Sequence, residues 1–256
     1  MKATLTVLGS GTSMGVPTIG CGCAVCRSSD LHDRRLRPSI MLEFNRAVVV
    51  IDTTPDFRTQ AIREGIRQLD AVLYTHAHAD HVLGLDDLRP LSYHRPEKIP
   101  LYAKPEAVEV IRNMFRYIFE ATYEFGGLAR VELHCISGPL KLFGACFVPV
   151  KVLHGNAEII GFRFGSAAYL TDFSEIPAES FTLLNDLDIL FLDALRHKPH
   201  PTHSTVDNSL KIVERVKPKR AFFTHICHDL PHEATNTALP PHVRLSYDGM
   251  KLDFEI

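Results

Sequence analysis

The sequence has no block of basic residues, no long apolar run and no export signal. It contains 28 Lys and Arg residues and 30 Asp and Glu residues, which give a net charge of -2 with histidine neutral. This balance gives no electrostatic reason to expect nucleic acid as a partner. The longest apolar runs extend over a few residues, far fewer than the roughly 20 that a membrane helix needs. Residues 1–7 have the alternation of a strand and lack the features of a signal peptide, so we expect a cytoplasmic protein without membrane association.

Cysteine is scarce, and its placement is uneven. Three of the six cysteines lie within six positions: Cys21, Cys23 and Cys26. In a reducing compartment this spacing favours a metal site over a disulfide framework. A closed tetrahedral zinc site needs a fourth ligand, and the candidates are His228, Cys227 and His32. Cys135 and Cys146 lie in strand-like apolar segments, where we expect small buried side chains.

Apolar, β-branched runs between turn residues predict ten strands. These are Ala3–Leu8, Ser39–Phe44, Ala47–Asp52, Ala71–Thr75, Val131–Ile136, Cys146–Leu153, Ile159–Phe164, Ala167–Thr171, Asp188–Asp193 and Ala221–Thr224. Helical spacing of apolar residues predicts helices at Pro55–Ile66, Pro105–Glu120 and Thr205–Val216. Many strands, few helices and no linker-like stretch predict one domain, residues 1–256, of two packed sheets flanked by helices.

Histidine is abundant, and its densest run follows a predicted strand. Residues 76–81 contain three imidazoles and one carboxylate: His76, His78, Asp80 and His81. These ligand types suit zinc, iron and manganese. Three further predicted strands end in a residue of the same kind, namely His154, Asp172 and His225. The pattern predicts a metal centre assembled at strand ends, because two adjacent metals need six to eight ligands.

The motif His76-x-His78-x-Asp80-His81, followed by His154, Asp172 and His225, resembles the metallo-β-lactamase superfamily over essentially the whole chain. The resemblance implies an α/β fold, an αββα sandwich of two mixed β-sheets flanked by helices, with a dinuclear metal centre. It assigns His76, His78 and His154 to the first metal. It assigns Asp80, His81 and His225 to the second, with Asp172 bridging both and Asp80 also counted as catalytic. The implied nucleophile is a hydroxide shared by two divalent metals, manganese or zinc, with iron as a further option. Asp86 and Asp87 are either partners of the ligands or acids at a helix start.

A second histidine cluster precedes the helix predicted at Thr205–Val216. Ser204 or Thr205 would serve as its N-cap, but an N-cap does not account for His197, His200 and His203. The segment His203-Ser204-Thr205 resembles a loop of phosphodiesterases in the superfamily, including the tRNA 3′-processing endonuclease. The resemblance implies that His203 stabilises charge on the scissile phosphate or protonates the leaving oxygen. His197 and His200 are equally well explained as surface histidines.

The cysteine loop resembles a subgroup of the superfamily, the cyclic phosphodiesterases of bacterial phosphonate degradation. It follows the segment Gly9–Pro17, whose Gly-Ser-Gly-Thr-Ser run lacks the lysine of a P-loop and is expected to form a tight loop beneath the metal site. In that subgroup three cysteines and a late histidine hold a structural zinc, which favours His228 as the fourth ligand of Cys21, Cys23 and Cys26.

Together these features predict a metal-dependent phosphodiesterase acting on a small, cyclic phosphodiester. The alternatives are a tRNA 3′-processing endonuclease, a thioester or lactam hydrolase, and a metalloprotein without catalysis. Nucleic acid is not the expected partner, since no basic insertion could bind it, and a homodimer is left open. Phe115 and Phe119 are expected to face the core, while Tyr123 and Phe125 are candidates for a lid.

Overall fold

The backbone forms two seven-stranded sheets that pack face to face. The structure is a computed structural model, and it describes residues 1–93, 95–120 and 127–256. The first sheet has the order β14-β1-β2-β3-β4-β5-β6 and the second the order β13-β12-β11-β10-β9-β8-β7. The fourteen strands of the two sheets are β1 (Lys2–Gly9), β2 (Ser39–Phe44), β3 (Ala47–Ile51), β4 (Ala71–Leu73), β5 (Ile99–Ala103), β6 (Val131–Cys135), β7 (Leu140–Leu142), β8 (Ala145–His154), β9 (Ala157–Phe164), β10 (Ala167–Leu170), β11 (Ile189–Asp193), β12 (Arg220–Thr224), β13 (Val243–Leu245) and β14 (Lys251–Glu255).

Helices cover the outer faces of both sheets. They are α1 (Phe57–Glu64), α2 (Ala79–Val82), α3 (Arg89–Tyr93), α4 (Pro105–Met114), α5 (Arg116–Phe119), α6 (Val206–Val216) and α7 (His232–Ala238). Short 3-10 turns lie at Leu31–Asp33, Leu85–Leu88 and Ala178–Leu184. The expected N-cap of α6 is present, because the Thr205 side chain accepts a hydrogen bond from the backbone of Asn208.

Three apolar clusters separate the four layers. The central one lies between the sheets and joins side chains of both, such as Leu5 and Phe162. A second packs the outer face of the first sheet against α1 and α4, and a third packs the outer face of the second sheet against α6 and α7. This is an αββα sandwich of two mixed sheets, and the predicted fold class is confirmed.

The predicted strands are all present, with shifts of one or two residues at their ends. Four strands were not predicted, β5, β7, β13 and β14, and three of them have only three to five residues without strong alternation. Strand β5 contains Pro100, which argues against a strand inside a sheet. The proline is tolerated because the pairing of β5 with β4 begins only at Leu101, so its missing N–H lies before that ladder starts.

Two expectations about individual side chains need correction. Cys135 and Cys146 are exposed rather than buried. Cys146 lies between buried Ala145 and Phe147 on β8, so the alternation of the strand points it outward. The single helix predicted at Pro105–Glu120 is divided into α4 and α5 at Phe115, which has non-helical backbone angles but remains buried as expected. Tyr123 and Phe125 lie outside the described residues.

The topology brings several strand ends to one edge of the sandwich. Parallel pairing aligns β3 with β4 in the first sheet and β10, β11 and β12 in the second. Carboxyl ends of parallel strands meet at the same edge, where ligands of α/β proteins commonly bind. Within the described residues, no helix is both long and apolar enough to span a membrane.

Candidate active site

Buried histidine and aspartate side chains crowd the edge where the strands end. His76 follows β4, His154 ends β8, Asp172 follows β10, and His225 directly follows β12. Asp172 and His225 both have the left-handed backbone conformation, with φ of 55° and 58°. Residues other than glycine adopt this strained conformation mostly at functional sites. Here it turns the side chain away from the direction of the strand.

The first group of potential ligands comprises His76, His78, His154 and Asp172. One nitrogen or oxygen of each lies within 4.8 Å of the others. His76 Nε2 lies 3.0 Å from His78 Nδ1 and 3.6 Å from Asp172 Oδ2. His154 Nδ1 lies 2.9 Å from the carbonyl oxygen of Thr202, to which it donates, so its Nε2 is available as a ligand.

The second group comprises Asp80, His81, Asp172 and His225, all buried. His81 Nε2 lies 3.3 Å from both Asp80 Oδ2 and Asp172 Oδ2, and His225 Nε2 lies 2.8 Å from Asp172 Oδ1. Asp172 therefore belongs to both groups, and its Oδ2 atom faces a histidine of each.

Several of these converging atoms have no hydrogen-bond partner. Asp80 Oδ2, His81 Nε2 and both ring nitrogens of His225 are buried and lack a hydrogen-bond partner, although each group has a charged neighbour within 3.6 Å. Buried polar atoms that face a common point without pairing are typical of metal ligands, since unpaired burial is otherwise costly. The donor sets therefore fit two divalent cations.

The charges of the site also fit cations. Four carboxylates are buried there: Asp52, Asp80, Asp172 and Asp193. Among the described residues, their ion-pair partners are histidines and none is a lysine or arginine. Burial would raise the pKa of Asp172, but His225 and His81 hold it well below its ordinary value. Burial opposes protonation of His225, yet Asp172 raises its pKa to about 10. The imidazoles thus supply positive charge that offsets the buried carboxylates, and divalent cations would offset them more strongly.

Asp52 orients one ligand and the strand end beside it. Its Oδ2 lies 2.8 Å from His81 Nδ1 and accepts a hydrogen bond from Thr75 Oγ1, while its Oδ1 accepts from the backbone N–H of Thr75. Asp52 is fully buried and has a φ of 66°. By occupying Nδ1 it directs Nε2 of His81 toward Asp80 and Asp172, as carboxylate partners of ligating histidines do.

His203 stands between the two groups. Its ring centroid lies 4.9 Å from that of His154 and 4.6 Å from that of His225, and the latter pair is stacked. Asp193 Oδ2, at the end of β11, lies 2.8 Å from His203 Nδ1. Burial favours the uncharged form of both groups, since it lowers the pKa of His203 to about 4 and raises that of Asp193. Asp193 thus fixes the orientation of the imidazole through Nδ1, and Nε2 is the ring nitrogen that remains available.

The cysteine cluster forms a separate site on the same side of the molecule. His228 Nδ1 lies 3.1, 3.6 and 3.4 Å from the sulfurs of Cys21, Cys23 and Cys26. Tetrahedral zinc with bonds of about 2.0–2.3 Å requires ligand separations of this size. Backbone N–H groups of Thr18 and Cys26 also face the sulfurs of Cys26 and Cys23, at 3.4 Å each. Only Ile226 and Cys227 separate His228 from His225 of the first site.

The glycine-rich loop after β1 lies against the residue that follows His225. Ser10 and Thr12 exchange backbone hydrogen bonds with Ile226, which follows His225. A Cβ atom on Gly9 would lie 1.9 Å from the carbonyl oxygen of Arg37, and one on Gly11 would lie 2.8 Å from that of Arg35. Glycine is therefore required for the close approach of these backbones.

Comparison with known proteins identifies the family. A family model described as a beta-lactamase superfamily domain matches residues 48–226, which is more than half of the chain. The chain belongs to the metallo-β-lactamase superfamily. The matched range contains all seven residues of the two His/Asp groups and excludes the cysteine cluster.

Three relatives of this superfamily member show how far the likeness extends. A crystal structure described as a new diphosphatase from the PhnP family is 61% identical, with a TM-score of 0.94, and the alignment covers 99% of this chain and 98% of that one. An octanoyltransferase of Porphyromonas gingivalis is 38% identical over 96% of this chain and 50% of its own length. A ribonuclease Z of Bradyrhizobium diazoefficiens is 27% identical over 52% of this chain and 46% of its own length. The chain spans about half the length of the curated relatives it matches.

The family match confirms two predictions made from the sequence. The chain is a member of the metallo-β-lactamase superfamily and resembles a structure of the PhnP family, and superfamily membership implies divalent metal cofactors. The structure brings every predicted dinuclear ligand into one of the two groups, and it brings the three cysteines to His228 rather than to His32 or Cys227.

Two residues of the site were missed by the sequence reasoning, Asp52 and Asp193. Asp86 and Asp87 were considered as partners of the ligands, but Asp86 pairs with Arg89 in the turn that follows α2. Their position in the sequence was the available signal, because Asp52 follows β3 and Asp193 ends β11, just as His76 and His225 follow their strands. His197 is exposed, whereas His200 lies 4.9 Å from His203 between ring centroids.

Proposed function

We propose that this protein is a metal-dependent phosphodiesterase that hydrolyses a small phosphodiester. The observation that carries the proposal is the His203–Asp193 pair, which stands between the two His/Asp groups and directs one free imidazole nitrogen toward them. Two metal sites with a histidine between them suit a phosphodiester, which carries one negative charge and gains a second as hydroxide attacks. A lactam or thioester develops a single oxyanion and needs fewer cationic groups.

In this proposal, His76, His78 and His154 would hold one divalent metal, and Asp80, His81 and His225 would hold the other. Asp172 would serve both, in keeping with its contacts to both groups. When bound, the two cations lower the pKa of water toward neutrality and offset negative charge on the phosphoryl group. Zinc and manganese both suit these ligands, and iron is a further option.

The protein's own residues orient the reaction. Asp52 and the Thr202 carbonyl fix the Nδ1 atoms of His81 and His154, so that their Nε2 atoms stay directed at the site. Burial keeps both groups uncharged, so Asp193 would donate its carboxyl proton to Nδ1 of His203 and the ring would carry its own proton on Nε2. Nε2 would give that proton to the leaving oxygen while the Asp193 proton moves to Nδ1, which leaves a neutral ring and an Asp193 carboxylate.

We further propose that Cys21, Cys23, Cys26 and His228 hold a structural zinc. The support is the single nitrogen of His228 that faces all three sulfurs, together with two backbone N–H groups directed at sulfur. Such a site is closed, with four protein ligands and no position left for substrate.

The finer substrate class is a cyclic phosphodiester, as the resemblance to the phosphonate-degradation subgroup implies. A second candidate is a diphosphate ester, since the 61% identical relative is described as a diphosphatase. Both substrates present a phosphoryl group that two metals and His203 could engage. Two further alternatives follow from the names of the other relatives: precursor tRNA, and an octanoyl thioester. That residues 1–256 form a single domain, and that the chain forms a homodimer, remain predictions.

One panel separates these functions. Protein loaded with manganese or zinc would be assayed on bis(p-nitrophenyl) phosphate, a ribose 1,2-cyclic phosphate, a diphosphate diester, octanoyl-coenzyme A and a precursor tRNA. We expect turnover of phosphodiesters that is lost in His76→Ala. Metal binding without turnover of any phosphate substrate would contradict the proposal and leave a non-catalytic metalloprotein or, if the thioester reacts, a thioesterase.

A further inference from the structure

A cavity of about 250 Å³ opens beside the first group of metal-type ligands. Residues 75–78 form one of its walls, so two members of the first group, His76 and His78, line the cavity directly. The start of α4 and the start of β9 form the other walls. The backbone N–H of Ile160 donates to the carbonyl oxygen of Thr75 at 3.3 Å, which ties β9 to the strand end that carries His76. The cavity is thus continuous with the proposed catalytic site and rests on fixed elements.

The wall surface is largely apolar. Five aliphatic side chains contribute to it: Ala77, Ala107, Val110, Ala157 and Ile159. Val110 remains 40% exposed on α4, whereas Ala107, Val108 and Ile111 of that helix are buried against the first sheet. An exposed aliphatic side chain beside a catalytic centre is typical of a pocket that binds the apolar part of a ligand.

The lysine at the rim and one of its two glutamates are paired with each other. Glu158 Oε1 lies 2.7 Å from Lys104 Nζ, and Glu158 Oε2 lies 2.8 Å from Lys151 Nζ. These two ammonium groups lower the pKa of Glu158 to about 2, which keeps it ionised. Lys151 also lies 3.9 Å from Glu179, and Glu106 adds another acid to the lining. The rim therefore has no excess positive charge for a second phosphate.

We propose that this cavity binds an uncharged ring carried by the substrate, so that the preferred phosphate esters have an aromatic or heteroaromatic arm. The inference rests on the proposed phosphodiesterase function and assigns the part of the substrate that the metals do not engage. Val110 is the residue that sets this preference, because it is the most exposed aliphatic side chain described on α4 within the cavity. A ring packed on Val110, Ala107 and Ile159 would exchange water for apolar contact.

The test compares two phosphonates that share a head group and differ only in the arm. Methylphosphonate and phenylphosphonate would be titrated calorimetrically into the full chain loaded with manganese. We expect phenylphosphonate to bind about tenfold more tightly, from burial of its ring. Because neither compound is hydrolysed, the result does not depend on which arm of a diester is the leaving group.

A matched pair of variants on α4 assigns the preference to the cavity. Val110→Glu places a charge on the cavity wall, and Met114→Glu places the same charge one turn along, at a residue that is 46% exposed and outside the cavity. We expect the phenyl-to-methyl affinity ratio to fall to about one in Val110→Glu and to stay near the wild-type value in Met114→Glu.

Several outcomes would overturn the inference. Equal affinities in the wild type, or a ratio that survives in Val110→Glu, would show that the ring binds elsewhere. A ratio that falls equally in both variants would show a general charge effect rather than a subsite. Failure of the proposed function has a different signature, namely metal-loaded protein that binds neither phosphonate and turns over no phosphodiester.

Discussion

The two histidine-containing sites of this protein are built in opposite ways. The His/Asp site draws most of its residues from the ends of strands in both sheets, and two of them, His81 and His154, are oriented by Asp52 and by the Thr202 carbonyl. The cysteine site takes three of its four residues from one short loop without a strand or helix of its own. The first site is held by the scaffold, whereas the second would be held by its own metal.

This difference predicts different consequences when a ligand is lost. A site on rigid strand ends keeps its shape without metal, so the loss of a ligand should affect catalysis more than folding. A loop site closed by a metal contributes directly to stability, so the loss of a ligand should affect folding more than catalysis. Four substitutions test this contrast.

The largest effect is expected for Asp172→Ala. Asp172 is shared by both His/Asp groups, so its removal should lower turnover of bis(p-nitrophenyl) phosphate by at least about 10³-fold and reduce bound metal. Elemental analysis and initial rates would measure both. Asp86→Ala is the control, since Asp86 pairs with Arg89 and should leave metal and rate unchanged. Normal turnover in Asp172→Ala would refute the dinuclear assignment.

His203→Ala should separate catalysis from metal binding. We expect kcat to fall by about 10²–10³-fold, because the leaving oxygen loses its proton donor, while metal content stays at the wild-type level. His197→Ala, an exposed histidine of the same loop, should behave as wild type. If His203→Ala loses metal in proportion to activity, then His203 is a ligand and the role assigned to it is wrong.

Cys23→Ser should show the reverse pattern. We expect the loss of one zinc per chain and a fall in melting temperature of about 5–10 °C, equal to about 2–3 kcal/mol for a chain of this size, while the catalytic metals remain. Thermal unfolding and zinc stoichiometry would measure this. Cys146→Ser, at an exposed cysteine on β8, is the matched control. Unchanged zinc content in Cys23→Ser would remove the structural site.

The smallest effect is expected for Asp248→Asn. This substitution tests how far the scaffold, in addition to the metal, fixes the conformation of the cysteine loop. Asp248 accepts hydrogen bonds from the backbone and hydroxyl of Ser10, from the backbone of Leu36 and from Arg63, so it ties down both ends of the segment that contains the cysteines. An amide would present N–H groups to some of these donors and cost about 1–3 kcal/mol of unfolding free energy.

Denaturant unfolding of Asp248→Asn, with zinc analysis, would measure that cost. Zinc should stay bound, because none of the four ligands is altered. Asp253→Asn is the control, since the Asp253 side chain accepts a hydrogen bond from Thr4 at an exposed position. A large loss of zinc in Asp248→Asn would show that the scaffold, and not the metal alone, shapes the loop.

The sequence predicted the residues that converge at the strand ends better than the residues that support them. The converging residues were recognisable because four of them form a dense motif and the others repeat one pattern, a polar residue at the end of an apolar strand. Asp52 and Asp193 obey the same pattern, but a single acid after a strand has no local motif, and its partner is defined only by strand order across the sheet. Strand β5 escaped prediction for a related reason, since its proline is acceptable only in the register that the neighbouring strand adopts.

The two residues between His225 and His228 have a consequence for how this protein can change. They act as a fixed spacer, with one end in the His/Asp site and the other in the cysteine site. The insertion or deletion of a single residue here would displace both sites at once, whereas most surface loops absorb such changes. The two centres cannot be re-engineered independently across this spacer, and length variation should be accommodated instead in connections such as the turn at Asn45 and Arg46, whose residues are exposed.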